Sequence, residues 1–165
     1  MPKHKPHIFV KSIYGVITII TLSSYIFFRG IKEKKDFNKI SGKLVYYDNT
    51  FEDWPNRDFG KYRYLKIDNF HSTFQIFIGK DLGDFKPALE RIDSLRIGDQ
   101  IDVYFDTYEM ESDTRINNLI QYIDKDSTPY FIRGNQDKIF GIILFAIGIA
   151  VLLTLLILKR QNKIE

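Results

Sequence analysis

Hydrophobic and polar positions divide this chain into two long apolar runs and a patterned stretch between them. Residues 139–158 read IFGIILFAIGIAVLLTLLIL, with no charge and with Thr154 as the only polar side chain. At 1.5 Å of rise per residue, such a helix spans roughly the 30 Å hydrocarbon core of a bilayer. The run at 8–28, IFVKSIYGVITIITLSSYIFF, is weaker and carries Lys11, Ser12, Thr18, Thr21, Ser23 and Ser24. Hydroxyls cost little in a helix because they bond back to carbonyls of the preceding turn. Lys11 lies near enough to the end to reach the interface, so the crossing segment is placed at 12–29. A cleaved signal peptide is the alternative for this run. No small-residue cleavage pattern follows it, and bulky aromatics occupy TLSSYIFFRG, which favours an uncleaved anchor.

Between the runs the period changes. Residues 100–106 set Ile101, Val103 and Phe105 against Asp102, Tyr104 and Asp106, the two-residue alternation of a half-buried strand. Residues 43–49, 61–68, 73–78 and 116–124 read as further strands. Residues 128–133 read as an edge strand, because Pro129 cannot donate to a ladder. One helix of roughly two turns is expected in DFKPALERIDSLRIGD, starting at Pro87 and stopped by Gly98. Three strands, a helix and two or three strands is the order of an OB-like β barrel; an SH3-like barrel or a plain antiparallel sandwich is the alternative. The expected fold class is therefore membrane α plus all-β. Two transmembrane helices flank a small OB-like or SH3-like β barrel with one short helix. The segments are a basic cytoplasmic tail at 1–11, a first transmembrane helix at 12–29 and a β-barrel-like domain at 37–135. A second transmembrane helix at 139–158 and a basic cytoplasmic tail at 159–165 follow.

Charge refines this picture. The net charge of +3 over 165 residues comes from the flanks, where Lys3, Lys5, Lys11, Arg29, Lys159, Arg160 and Lys163 lie. Residues 30–138 carry a small acidic excess, which argues against nucleic acid as a partner, since phosphate neutralisation needs a basic face. Two spans across the cell membrane place both tails on one side, and short basic tails favour the cytoplasm. The cluster Arg29, Lys32, Lys34 and Lys35 pulls the other way, although Glu33 and Asp36 lie among it. The long loop domain is expected outside. Cysteine is absent, so disulfides, thiolate metal sites and cysteine nucleophiles are excluded.

The run Leu95-Arg96-Ile97-Gly98-Asp99-Gln100-Ile101-Asp102-Val103-Tyr104, followed by a second span opening with Phe140-Gly141, resembles a kind of uncharacterised bacterial membrane protein. Such proteins place a small extracytoplasmic β domain between two spans. The resemblance implies location and architecture and brings no catalytic residues.

Candidate sites are few. The connection TFEDWPNRDFG holds Phe51, Trp54, Arg57 and Phe59; a later one, TYEMESDT, holds Tyr108, Glu109 and Met110. In an OB-type barrel these connections flank the usual binding face, so they are expected to converge as a partner-binding surface. Gly141 and Gly148, seven residues apart, fall on nearly one helix face, with Gly15 as a counterpart on the first span. Small residues there let backbones approach, seating the spans on each other or on another protomer. Glu109, Glu111 and Asp113 read as a solvated face without Ca²⁺-loop spacing, and Asp81 and Asp84 as a turn. Gly79-Lys80 lacks the phosphate-loop pattern. His4 and His7 lie in a basic tail, and His71 in a turn without a definable triad. No catalytic residue, metal or cofactor is expected, and no ionisable group lies deep in either span to carry transport. The expected function is a membrane-tethered, non-enzymatic interaction or accessory module of an envelope complex. Its partners would be the lipid bilayer and a membrane or envelope protein, or a second copy. The alternative is a small-ligand or ion sensor coupled to the spans.

Overall fold

The computed structural model describes the chain apart from residues 1–7, 53–59, 80, 82–83, 108–115, 117 and 165. The chain forms two compact units: Met1–Ile31 with Gln136–Glu165, and Lys32–Asn135.

The first unit is a pair of helices, α1 (Ile8–Gly30) and α2 (Gln136–Arg160). Both are long and apolar enough to cross a membrane, and only 11% of each apolar window is buried. They run antiparallel, because their contacts descend one helix as they ascend the other. Lys159 lies over the Phe9 ring, Gly148 meets Ile20, Gly141 meets Phe27 and Gly30 meets Lys138. Arg29 also faces Asp137 at 3.9 Å. The hydroxyls of α1 bond backwards as their chemistry requires: Thr18 donates to the Tyr14 carbonyl at 3.0 Å, and Ser23 and Ser24 to that of Ile20 at 2.8 Å. Thr154 does the same to Ala150 at 2.9 Å.

The second unit is a seven-stranded sheet: β1 (Asn38–Asp48), β2 (Tyr62–Ile67), β3 (Phe74–Phe77), β4 (Leu89–Glu90), β5 (Gln100–Thr107), β6 (Asn118–Lys125) and β7 (Thr128–Ile132). The strand order is β3-β2-β1-β5-β6-β7-β4, antiparallel throughout, with a further parallel pairing of β3 with β6. The long β1 serves two neighbours. Its first half, Asn38 to Lys43, pairs with β5; its second half pairs with β2, and the β1–β2 register shifts between Leu44 and Tyr46. The shift leaves Val45 turned outward while Leu44 is fully buried. The core is continuous from Leu44, Leu65 and Ile67 through Phe74 and Ile76 to Ile101, Val103, Phe105, Ile120, Ile123 and Phe131. Phe70 stacks on Phe74 at 4.7 Å, and Phe105 meets Phe74 edge-on at 5.0 Å, a geometry that suits the ring quadrupoles.

Three expectations change. The strand at 128–133 is not an edge, since β7 lies between β6 and the two-residue β4. β4 pairs only with Phe131 and Ile132, and so leaves Pro129 without a ladder bond to donate on that side. β1 begins at Asn38, five residues before the expected 43, because Asn38 to Lys43 are held by pairing to β5 rather than by an apolar face. The expected two-turn helix from Pro87 to Gly98 is absent. Its place is taken by the two-residue β4 and a 3₁₀ turn at Ile92–Ser94. A two-turn helix is marginal in water, and here the sheet supplies competing partners. Ala88 N–H donates to the Ile132 carbonyl at 2.9 Å and Arg91 N–H to that of Tyr130 at 2.8 Å. The three-residue spacing of Ile92 and Leu95, which suggested a helix face, instead drops both side chains into the core across one tight turn.

Candidate functional site

The two long connections that sequence singles out are rooted at one place. Phe51, at the start of the first, and Ile116, at the end of the second, pack on the buried Tyr64 of β2. Tyr46 and Tyr62 line the same cluster. Phe51 is 4% exposed, its ring 5.9 Å from that of Tyr46, with the Lys66 ammonium 4.5 Å above it. The Tyr46 hydroxyl donates to the Thr50 carbonyl, and burial raises the pKa of that phenol. Across the mouth of the second connection, Thr107 Oγ1 donates to Asn118 Oδ1 at 2.8 Å, closing the β5–β6 hairpin. Phe51 is therefore a packing residue that fixes where the first connection leaves the sheet. Trp54, Arg57, Phe59, Tyr108, Glu109 and Met110 lie outside the described residues.

Beside β3, Asp81 and Asp84 form a turn. Asp81 N–H donates to Asp84 Oδ2 at 2.7 Å, and Lys61 bridges the two carboxylates at 3.0 and 2.9 Å. These hydrogen bonds hold the Lys61 pKa above its usual value. His71 is exposed on a turn. Among the described residues, no three histidine or acidic side chains converge where they could hold a metal ion.

On the outer face of β5 and β6 lies a constellation that sequence reading missed. Tyr104, Asp102 and Asp106 project together from β5, the polar half of its alternation. Lys39 bridges Asp102 at 2.8 Å and Ser41 Oγ donates to the same carboxylate at 2.5 Å, and the two donors hold the Asp102 pKa below its usual value. The 3₁₀ turn Lys34–Asp36 lies on this face. Lys34 bonds Asp124, its ammonium 4.5 Å from the Tyr104 ring centre and 6.0 Å from that of Tyr122. Lys32 bridges Asp106 at 3.1 Å and lies 5.3 Å from the buried Phe37 ring. Arg133, near the other end of the unit, lies 4.9 Å from the same ring and donates to the Lys32 carbonyl at 2.9 Å. The first and last segments of the β unit are thereby fastened side by side. The available signal was the period-2 alternation of β5, which puts Tyr104 between two outward acids; the partner turn at 34–36 has no such pattern.

In the helix pair, Gly141 and Gly148 are buried contacts. A β-carbon on Gly141 would come within 2.8 Å of the Phe27 backbone; one on Gly148 would meet Ile20 at 3.1 Å. Gly15 does not join them: nothing lies within 4 Å of its β-carbon position, because it is turned about 100°, one helical step, away from the buried Val16. The close approach on α1 is made instead at Gly30, against the Lys138 backbone. Beside Gly141 is a cavity of about 350 Å³ lined by Ser23, Ser24, Phe27, Phe28, Ile142 and Phe145. Its two hydroxyls are already bonded to the Ile20 carbonyl, so its character is apolar.

Comparison with protein-family models, curated proteins and solved structures returns no match, so the chemistry rests on these residues.

Proposed function

We propose that this chain is a membrane-tethered, non-enzymatic interaction module, in which two spans present a small β domain to a protein partner within the cell envelope. The observation that carries the reading is the helix pair. Val10, Ile17, Leu22, Phe28, Ile142, Ile143, Leu153, Leu156 and Ile157 are all exposed on two helices that bury little of themselves. Apolar surface of that extent marks a membrane or an obligate partner, and helix length favours lipid. Lys159 and Arg160 close the last turn of α2, at the end of the pair where α1 begins, while Arg29 closes α1 at the other end beside Asp137. The basic residues Lys3, Lys5, Lys159, Arg160 and Lys163 support tails in the cytoplasm and a β domain outside, against the opposing pull of Arg29, Lys32, Lys34 and Lys35.

The strand circuit supports an OB-type barrel over an SH3-type one. Strands β1, β2 and β3 follow as a meander, β3 lies parallel to β6, and β6 and β5 return antiparallel to β1. In such a barrel the two connections rooted on Tyr64 flank the binding face. The test is cross-linking in native membranes, followed by purification in mild detergent and identification of neighbours. A stoichiometric protein partner supports the reading. Extraction of the intact chain by alkaline carbonate, or recovery of the chain alone under every detergent, overturns it.

A further inference from the structure

The lysine seat on the β5–β6 face has features of a receptor whose present occupant fits it incompletely. The Tyr104 and Tyr122 rings stand nearly perpendicular, 83° apart with centres 6.4 Å from each other. Asp124 lies beside them and is 8% exposed. Lys34 engages one oxygen of this carboxylate, Oδ2. The other, Oδ1, is fully buried and has no hydrogen-bond donor among the described residues. An ammonium is a compact charge that can satisfy one carboxylate oxygen well. A guanidinium is planar, donates to both oxygens of a carboxylate at once, and stacks on aromatic faces.

We propose that Tyr104, Tyr122 and Asp124 form a recognition seat for an arginine side chain of a partner polypeptide, which Lys34 fills in the unbound protein. The proposal rests on the reading of the chain as an interaction module and names the chemistry its partner must offer. Three observations point the same way. The seat already holds a cation. It has one buried acceptor left over, which a two-pronged donor would reach and a one-pronged donor does not. Its occupant belongs to a three-residue turn and is one-third exposed, with 37% of its side chain accessible, so it can move into water. Lys39, the other cation near Tyr104, is neutralised by Asp102, and Lys32 by Asp106, so the charge left for an incoming arginine is that of Asp124. A tethered competitor acts at an effective concentration in the millimolar range, so a single free arginine competes poorly with Lys34 and a partner must add contacts elsewhere.

The experiment uses the full chain in detergent micelles, with Nα-acetyl-arginine amide as probe and the lysine analogue as comparator. The Lys34→Ala variant is expected to show a rise in melting temperature with arginine probe at concentrations at least tenfold below those the wild-type chain needs. The lysine probe should require severalfold more, and Lys34→Ala combined with Asp124→Asn should not respond. Equal responses in all three chains overturn the proposal. Should Lys34→Ala fail to fold, Lys34→Arg tests the same seat from within. A melting temperature above wild type supports a seat shaped for guanidinium, and one equal to or below wild type overturns it. A functioning seat in a chain that cross-links to nothing would instead overturn the interaction reading and leave the seat standing.

Discussion

Gly141 lies so close to Phe27 that a single methyl group on it would come within 2.8 Å of the Phe27 backbone nitrogen and α-carbon. Backbone cannot step aside as a side-chain tip can, so this contact, together with the tighter one between Gly30 and the Lys138 backbone, sets how near α1 and α2 approach. Gly141→Ala is expected to destabilise the pair by about 1–3 kcal/mol, the usual cost of overpacking a fitted contact. Unfolding in mixed micelles would measure it.

Two other glycines calibrate that prediction. At Gly148 the nearest atom is the side chain of Ile20 at 3.1 Å, which can yield, so Gly148→Ala should cost less than Gly141→Ala. At Gly15 the space is open, and alanine is the better helix former by about 1 kcal/mol. Gly15→Ala should therefore be neutral or stabilising. A reversed order across the three variants would show that some other surface holds the helices together.

Phe51→Ala should be costly although the residue sits on a connection. Its ring is buried against Tyr64 and Ile116, and removing a buried phenylalanine costs about 3–5 kcal/mol. Thermal unfolding of the variant in detergent checks this. A loss near zero would mean that the cluster does not anchor the connection.

The β unit should weaken in acid. Asp102 is held below its usual pKa by Lys39 and Ser41, and Asp99 by Lys125, which bridges it at 2.8 Å, and by the Arg96 backbone N–H. A carboxyl whose folded pKa is depressed stabilises the fold above its unfolded pKa of about 3.9, and that contribution is lost as pH falls through the folded value. Melting temperature should therefore hold from neutral pH down to about 5 and decline below about 4. Asp99→Asn should flatten that decline. A curve unchanged in the variant would assign the acid sensitivity to other groups.

Arg133→Ala should loosen the junction between the first and last segments of the β unit. It removes a charged donor 2.9 Å from the Lys32 carbonyl and the guanidinium over Phe37. Charged hydrogen bonds of this kind are worth about 1.5–3 kcal/mol. Faster amide exchange over residues 32–37 is the expected signature, with Arg133→Lys recovering only part, since an ammonium lacks the planar fork.

Local pattern carried much of this architecture. Alternation at Ile101, Val103 and Phe105 places β5 to within a residue, and the charge-free run at 139–158 lies inside α2. Both signals are periodic burial written into the side chains themselves. The stretch from Pro87 to Gly98 has an apolar spacing that suits a helix face and a tight turn equally, and open carbonyls on β7 decide between them. Asn38 to Lys43 were invisible as strand for a related reason: a ladder to β5 holds them, and ladders leave no mark in polarity.

Chemistry and periodicity in the sequence decided what lies in each segment: two apolar rods, the second without charge, a cysteine-free β region, basic flanks and an acidic middle. Tertiary structure alone decided which distant residues share a surface. It drew Lys34 onto Tyr104, Tyr122 and Asp124, brought Phe51 and Ile116 together on Tyr64, and chose Gly30 over Gly15 as a seat on α1. The physical reason is that hydrophobicity is a property of each residue, legible one position at a time. Contact depends on strand register and helix rotation, which only the folded chain sets.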